Sequence, residues 1–521
     1  MAPRFTRFFT SRGAMPAIAL ALLAVAMVLG LMQYATGGRV AYTMDSLTYR
    51  DVALNFVAGH PMQSTNVELP PPAPAYVPLL NWPPAYPALW ASVMSVGHID
   101  IDDVPALLNP VLLVLATLTI FWVGWMVTGN PAIAAVMALV NACTPGNLIV
   151  YGHAWSETLF IPLLTMAYAT FWKYRISPQN LIWLAAAAIC IGIANWVRYA
   201  GVAFFPVLGL SVLLASGAVF WKRILHAAGA MLLGAALVVP LWFRNWQLAG
   251  NISGSTRGGV SRMERGFDDV AAIIDLAEHS LFAFSMVLRA NLEILILVAV
   301  AVLGFKAFQR HGVRWLRPPE IWLPIVWAMG YLLFLLYARK VQANVDLDLR
   351  MLAVAVPFLL IAMIPAVDAI FSDRSMGFGK VMVVLLLGLL INTGVQQAYK
   401  THDNYASYGV PRFRATFGLG YRDVRSTSPS SRALAENIGS VDESEFILTD
   451  YRAIHLRYLS GKKVYAPTGN SCGAWAGVLD GGVLFIGAAE LPPWAIDCLK
   501  GASQWRLQRP AGRAMPSAYV D

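Results

Sequence analysis

Along the chain, apolar runs close to the twenty or so residues that a helix needs to cross a bilayer alternate with short polar turns. Runs at 14–36, 104–128, 131–151, 157–174, 180–196, 199–220, 224–244, 287–305, 321–338, 351–371 and 381–395 predict about eleven spanning helices. The first follows Arg4, Arg7 and Arg12, as a signal peptide would. Its apolar stretch is too long for one and shows no small-residue cleavage site, so it reads as a retained helix. Three longer polar pieces remain, at 37–103, at 245–286 and from 396 onward.

Composition agrees with that pattern. Of 521 residues, 58% are apolar and 13% charged, against about 25% charged in a soluble protein. So little charge excludes a string of soluble domains. The net charge of +9 would suggest nucleic acid in a soluble protein, but here the excess has a topological place. With the N-terminus inside, Lys173/Arg175, Lys222/Arg223, Lys306/Arg310/Arg314/Arg317 and Arg374/Lys380 all fall on the cytoplasmic side, as the positive-inside rule requires. An odd number of spans then leaves the tail outside.

The expectation is a polytopic α-helical membrane protein of the bacterial inner membrane, with a transmembrane domain over 1–395 and a C-terminal extracytoplasmic domain over 396–521. Residues 446–449 and 463–465 read as strands around a short helix at 451–459, a small α/β unit. Cys472 and Cys498 both fall in that oxidising compartment and could pair or stay free, whereas Cys143 and Cys190 sit in spans as packing residues.

The candidate chemistry lies on the outer side. Residues 45–59 read as an amphipathic helix stopped by Gly59 and Pro61. Asp45, Tyr49, Val52 and Phe56 share one face of it. Asp45 is either its N-cap or a carboxylate presented to the outer space. After Pro70, Pro71, Pro72 and Pro74, the prolines Pro83 and Pro84 predict a second helix start, with Trp82 and Trp90 suited to the bilayer interface. The first outer loop would thus hold two short interfacial helices.

Arg198, Arg244, Arg339, Lys340 and Arg350 stand at outer ends of spans, against the inside bias, and Arg257, Arg262 and Arg265 join them from the second outer loop. Guanidiniums suit phosphate oxygens; the alternative is snorkelling and helix-end capping. His153 and Glu157 are four apart, so a helical turn would align them as metal ligands. Two ligands do not make a site, and no metal or other cofactor is assigned.

Several of these residues resemble the GT-C membrane glycosyltransferases. The pattern Asp45-x-x-x-Tyr49-x-x-x-Ala53 with Gly59 is similar to their first outer loop. The likeness is to the branch of protein mannosyltransferases, the lipid A aminoarabinose transferase and lipopolysaccharide galacturonic acid transferases. Pro83-Pro84-Ala85-Tyr86-Pro87, Ser156-Glu157-Thr158-Leu159-Phe160, Arg198-Tyr199-Ala200-Gly201 and Arg350-Met351-Leu352 before Pro357 match in order, and residues 447–463 are similar to the small outer domain. Where many relatives carry an Asp-Glu pair, this chain has Asp45-Ser46.

The resemblance implies sugar transfer from a polyprenyl-phosphate donor to a glycolipid, polysaccharide or protein acceptor, with inversion and without nucleic acid. Asp45 matches the proposed base, and Arg198 and Arg350 the family's arginine positions. Tyr49, Tyr86, His153, Glu157, Tyr199, Arg244, Arg339 and Lys340 complete the expected substrate-binding set. A transporter or lipid-linked sugar flippase, the rival, should show repeated halves and ionisable groups near the bilayer midplane. A non-catalytic envelope assembly protein would leave the outer arginines without a role.

Overall fold

The computed structural model describes residues 11–66, 74–215, 218–254, 319–341, 349–372 and 377–408, with short pieces between 413 and 508. Helix α1 (Ser11–Thr36) leads into a long loop that holds α2 (Met44–Val57) and α3 (Ala85–Gly97). Then come α4 (Val104–Thr128), α5 (Pro131–Ala142), α6 (Pro145–Tyr151), α7 (Glu157–Ile176), α8 (Ile182–Val197), α9 (Phe204–Ala215) and α10 (Phe220–Ala249). The later helices are α11 (Pro319–Val341), α12 (Leu349–Ala353), α13 (Val356–Ser372) and α14 (Gly377–Tyr408).

The chain is an integral membrane protein. Among the described residues, six helices are long and apolar enough to cross a membrane, or seven if α5 and α6 form one bent span. Apart from 287–305, which lies outside the described residues, the expected runs fall on helix, six or seven of the about eleven with the length of a span among the described residues. Exposed Leu22, Leu23, Leu232 and Phe243 give α1 and α10 their apolar outer faces. Helix α7 is the axis of the bundle: Phe160, Leu164, Tyr168, Phe171 and Trp172 are all buried, and Tyr168 meets the Trp327 ring of α11 edge-on at 5.2 Å.

Local sequence sets the breaks. Gly129, at φ 70°, ends α4, and the Asn130 side chain accepts from the amides of Ala132 and Ile133 to cap α5. The expected single span at 131–151 is two helices bent by 62°. Pro145 has no N–H to continue the helix and drives Thr144 to an extended backbone, φ −62° and ψ 139°. The runs at 180–196 and 199–220 are likewise separate: Arg198 is extended, at φ −148° and ψ 134°, and a tight 3-10 turn, Tyr199–Ala203, follows it.

The first outer loop holds the two expected helices. Between them, strands β1 (Gln63–Thr65) and β2 (Tyr76–Pro78) pair antiparallel, a hairpin that the proline-rich sequence did not suggest. Trp90 is a correction. It is not an interface anchor but wholly buried, 5.4 Å from the Tyr86 ring.

In the tail, β3 (Phe413–Arg414) pairs antiparallel with β4 (Gly420–Tyr421). Strands β5 (Ile447–Thr449), β6 (Val464–Tyr465), β7 (Gly482–Phe485) and β8 (Trp505–Gln508) form a parallel sheet in the order β6-β5-β7-β8. Two of these strands fall where the sequence predicts them. Cys472, Cys498 and most of the expected helix at 451–459 lie outside the described residues.

The α5–α6 break is sealed by a close approach from α14. A Cβ at Gly394 would overlap the backbone carbonyl of Cys143. Gly394→Ala should therefore destabilise the bundle by roughly 1–3 kcal/mol, read as a fall in Tm in detergent. An unchanged Tm would show that α14 does not seat there.

Candidate active site

The site starts from a backbone zipper. The Ala41 N–H donates to Gly152 O at 2.8 Å, and the Ala154 N–H donates to Ala41 O at 2.9 Å. Ser46 Oγ donates to Ala154 O at 2.9 Å, and Trp155 Nε1 donates to Thr43 Oγ1 at 2.9 Å. From α4, Asn109 Nδ2 donates to the carbonyls of Tyr151 and His153, at 2.8 and 2.7 Å. Segments more than a hundred residues apart in sequence are thus locked side by side. The start of α2 lies against the start of α7.

The N-cap of α2 is Thr43, whose amide donates to Ser46 Oγ at 3.0 Å. The N-cap reading of Asp45 is therefore corrected: Asp45 lies in the first turn, and its side chain is engaged elsewhere. Ser46 serves the helix start. The second carboxylate of the site comes from another element.

That carboxylate is Glu157, the first residue of α7, with a side chain 1% exposed. Arg198 Nη1 donates to Ser156 Oγ at 3.0 Å and lies 2.7 Å from Glu157 Oε1. Arg350 Nε stands 3.8 Å from the same oxygen. Arg350 Nη1 in turn meets Asp45 Oδ2 at 2.5 Å. Asp45, Arg350, Glu157 and Arg198 thus form one chain of contacts.

Aromatic groups wall this chain. The Arg350 guanidinium lies over the Trp155 ring at 5.2 Å, and the His153 ring stacks on Trp155 at 4.1 Å. Tyr49 OH is 3.2 Å from Ser156 Oγ, and its ring meets Tyr86 edge-on at 5.2 Å. Thr158 Oγ1 donates to Tyr86 OH at 3.3 Å. Both tyrosines are buried, and burial raises their phenols beyond the ordinary range.

The helical-turn alignment of His153 with Glu157 does not form, because 153–156 is an extended turn ahead of α7. His153 Nδ1 instead pairs with Ile149 O at 2.7 Å. Among the described residues, no group of three or more His, Cys, Asp or Glu could hold a metal ion.

Two other expected residues tie the loop down. Tyr199 OH donates to Leu80 O at 2.9 Å, and Arg244 donates to the carbonyls of Leu79 and Met62, each at 2.9 Å. Arg339 and Lys340 lie at the C-terminal end of α11, while Arg257, Arg262 and Arg265 lie outside the described residues. Sequence reasoning passed over Tyr331. It packs on Phe160, one helical turn beyond Glu157, and its buried hydroxyl has no hydrogen-bond partner among the described residues. Nothing near Tyr331 in sequence signals this. Gly201 is needed for the turn that carries Arg198, since a Cβ there would lie 2.7 Å from the Asn195 amide nitrogen.

The site therefore sits at one end of a membrane helix bundle, where Asp45 of the first loop meets Arg350 and Glu157 of α7 meets Arg198, the arginines coming from two later helix ends. No family model and no curated protein sequence matches the chain. Among solved structures it is similar to ArnT from Cupriavidus metallidurans bound to undecaprenyl phosphate, at 12% identity over 85% of each chain with a TM-score of 0.52. It is also similar to the oligosaccharyltransferase AglB from Archaeoglobus fulgidus in complex with an inhibitory peptide and a dolichol-phosphate, at 13% identity and a TM-score of 0.51. That likeness covers 87% of this chain and 64% of AglB. These comparisons show the fold: the chain has the architecture of the GT-C membrane glycosyltransferases.

His153 supplies a pH test. Burial first, and then the Arg350 charge, push its imidazole down to about 3, so it stays neutral in the folded protein. The unfolded chain takes up the proton near pH 6.5. Stability is then fully present above that pH and is lost as pH falls toward 3, by about 2 kcal/mol at pH 5. Wild type should lose more Tm between pH 7 and pH 5 than His153→Gln. Equal slopes would remove the buried neutral imidazole as the cause.

Proposed function

We propose that this protein is a glycosyltransferase that moves one sugar from a polyprenyl-phosphate carrier to an envelope glycolipid, polysaccharide or protein. The reading rests on one observation: Asp45 and Arg198, expected from the sequence as base and phosphate ligand, belong to one cluster, joined through Arg350 and Glu157.

In this mechanism Asp45 accepts the proton of the acceptor hydroxyl as its oxygen attacks the anomeric carbon. The bond from that carbon to the phosphate oxygen breaks, and polyprenyl phosphate leaves with the electron pair. Arg198 and Arg350 stabilise the charge that grows on the departing phosphate. A single displacement inverts the anomeric centre. Tyr49, Tyr86 and His153 hold the walls of the cluster, while Tyr199 and Arg244 hold the loop in place over it.

The same reading sets the topology: about eleven spans, with the N-terminus in the cytoplasm of a bacterium and the C-terminal region in the periplasm. It is supported by how the two sets of charges segregate. Arg175 of α7 pairs with Glu320 of α11 at 3.4 Å, and Tyr174 OH meets His226 Nδ1 of α10 at 2.8 Å. The basic residues expected inside thus gather at the end of α7 opposite Glu157.

Purified protein with a polyprenyl-phosphate sugar and an envelope extract as acceptor source tests the proposal, with transfer read by mass spectrometry. Asp45→Asn should lower the rate by about 100-fold or more, and Arg198→Gln should weaken turnover as well. Undiminished transfer by Asp45→Asn would remove Asp45 as the base. Failure of wild type with every such donor would remove the transferase reading.

A further inference from the structure

The ion pair between Asp45 and Arg350 raises a difficulty for catalysis. The base and a phosphate-binding arginine are already bound to each other at 2.5 Å. An Asp45 oxygen that accepts this charged hydrogen bond is not free to receive the proton of an acceptor hydroxyl. The guanidinium, likewise, points its donors at protein carboxylates. The four groups, two carboxylates and two guanidiniums, also sum to no net charge, so an entering phosphate would meet a neutralised cluster.

Exposure decides which contact can open. The Glu157 side chain is 1% exposed and that of Asp45 24%. Drawing the arginines away from Glu157 would leave a buried carboxylate uncompensated, which costs several kcal/mol. Releasing Asp45 returns a partly hydrated carboxylate toward water, so this contact costs less to open than one to Glu157. Glu157 therefore keeps Arg198, 2.7 Å away, and remains a buried counter-charge 3.8 Å from Arg350, while Asp45 occupies the position on Arg350 that another anion can take.

We infer that Arg350 is shared between Asp45 and the donor phosphate: the lipid phosphate displaces Asp45 from Arg350 and by doing so frees Asp45 to act as the base. This rests on the transferase reading and adds an order to it. Without donor, the base is masked and an acceptor hydroxyl or water finds no free carboxylate. With donor seated, Arg350 holds the phosphate and Asp45 faces the acceptor. Donor binding therefore precedes acceptor activation.

The device makes a thermodynamic prediction that needs no turnover. If Asp45 competes with the phosphate for Arg350, removing its charge must tighten lipid-phosphate binding, and only while Arg350 is present. Undecaprenyl phosphate binding to the full-length protein in detergent would be measured for wild type, Asp45→Asn, Arg350→Gln and the double variant. The expected result is a Kd about five- to tenfold lower for Asp45→Asn than for wild type. In the Arg350→Gln background the same substitution should gain almost nothing. Ligand-induced change in Tm, read over the same four proteins, covers variants whose Kd is too weak to titrate.

An unchanged or weaker Kd in Asp45→Asn overturns the inference. So does an equal gain in both backgrounds, which is the additive signature of general charge repulsion. Neither result touches the transferase reading, which the transfer assay judges separately. Absence of lipid-phosphate binding by wild type itself overturns the donor reading, and the inference with it.

Discussion

A carboxylate sealed at the end of a lipid-embedded bundle has to be answered by positive charge, and Glu157 is such a carboxylate. Its side chain is almost wholly buried, at the first residue of the helix on which the bundle is centred. The cost of leaving it unpaired is several kcal/mol, so the structure around it is arranged to deliver cations. Arg198 comes from a break between two helices and Arg350 from the short helix that precedes α13. The breaks have a function: an arginine inside a continuous span would project into lipid, whereas one at an interruption can turn inward. Asp45 is the more exposed of the two anions beside Arg350, paired with it at 2.5 Å while Glu157 stands 3.8 Å away.

The first loop is held in place by apolar packing and by polar side chains that reach its backbone carbonyls. Tyr199 and Arg244 hold Leu79, Leu80 and Met62, and Arg50 closes α2 onto Asp102 with two bonds of 2.7 and 3.1 Å. The tail joins in, with Arg457 donating to Asn66 O at 3.3 Å and Arg50 lying over the Tyr458 ring at 5.2 Å. The loop that carries Asp45 is thereby fixed in position, with Tyr49, Tyr86 and Trp90 buried and the Asp45 side chain 24% exposed.

Much of this was legible in the sequence, and the limits have physical causes. Apolar run length located the helices because bilayer thickness demands it. Gly129, Gly59 and the paired prolines at 83 and 84 marked ends and starts because their backbone preferences act locally. Arg198 and Arg350 stood out because basic residues at those span ends run against the expected topological bias, and Asp45 and Glu157 because of the short motifs that carry them. Pairings were not legible. That Ser46 rather than Asp45 serves the start of α2, and that Arg350 bridges two carboxylates three hundred and two hundred residues away, follows from the zipper between 41–46 and 152–156, which no periodicity encodes. Trp90 was misjudged for a related reason: an aromatic ring suits an interface and a core equally well, and only the packing of α3 against its neighbours separates the two.

The bend at Pro145 is the last link between fold and site. A straight continuation of α5 would carry the chain past the membrane end, with no reason to turn back toward the first loop. The break lets α6 run off at 62°, so that Gly152 and Ala154 arrive beside Ala41 and form the zipper. The stretch is tightly held. Thr144 Oγ1 and Asn147 Nδ2 both donate to Asn141 O, at 2.9 and 2.6 Å, and α14 closes over it at Gly394. The partnership of Asp45 and Glu157 thus depends on a proline over ten residues from either contact. Changes at this distant corner of the bundle should act on the site through the relative placement of α2 and α7, while the charges themselves remain intact.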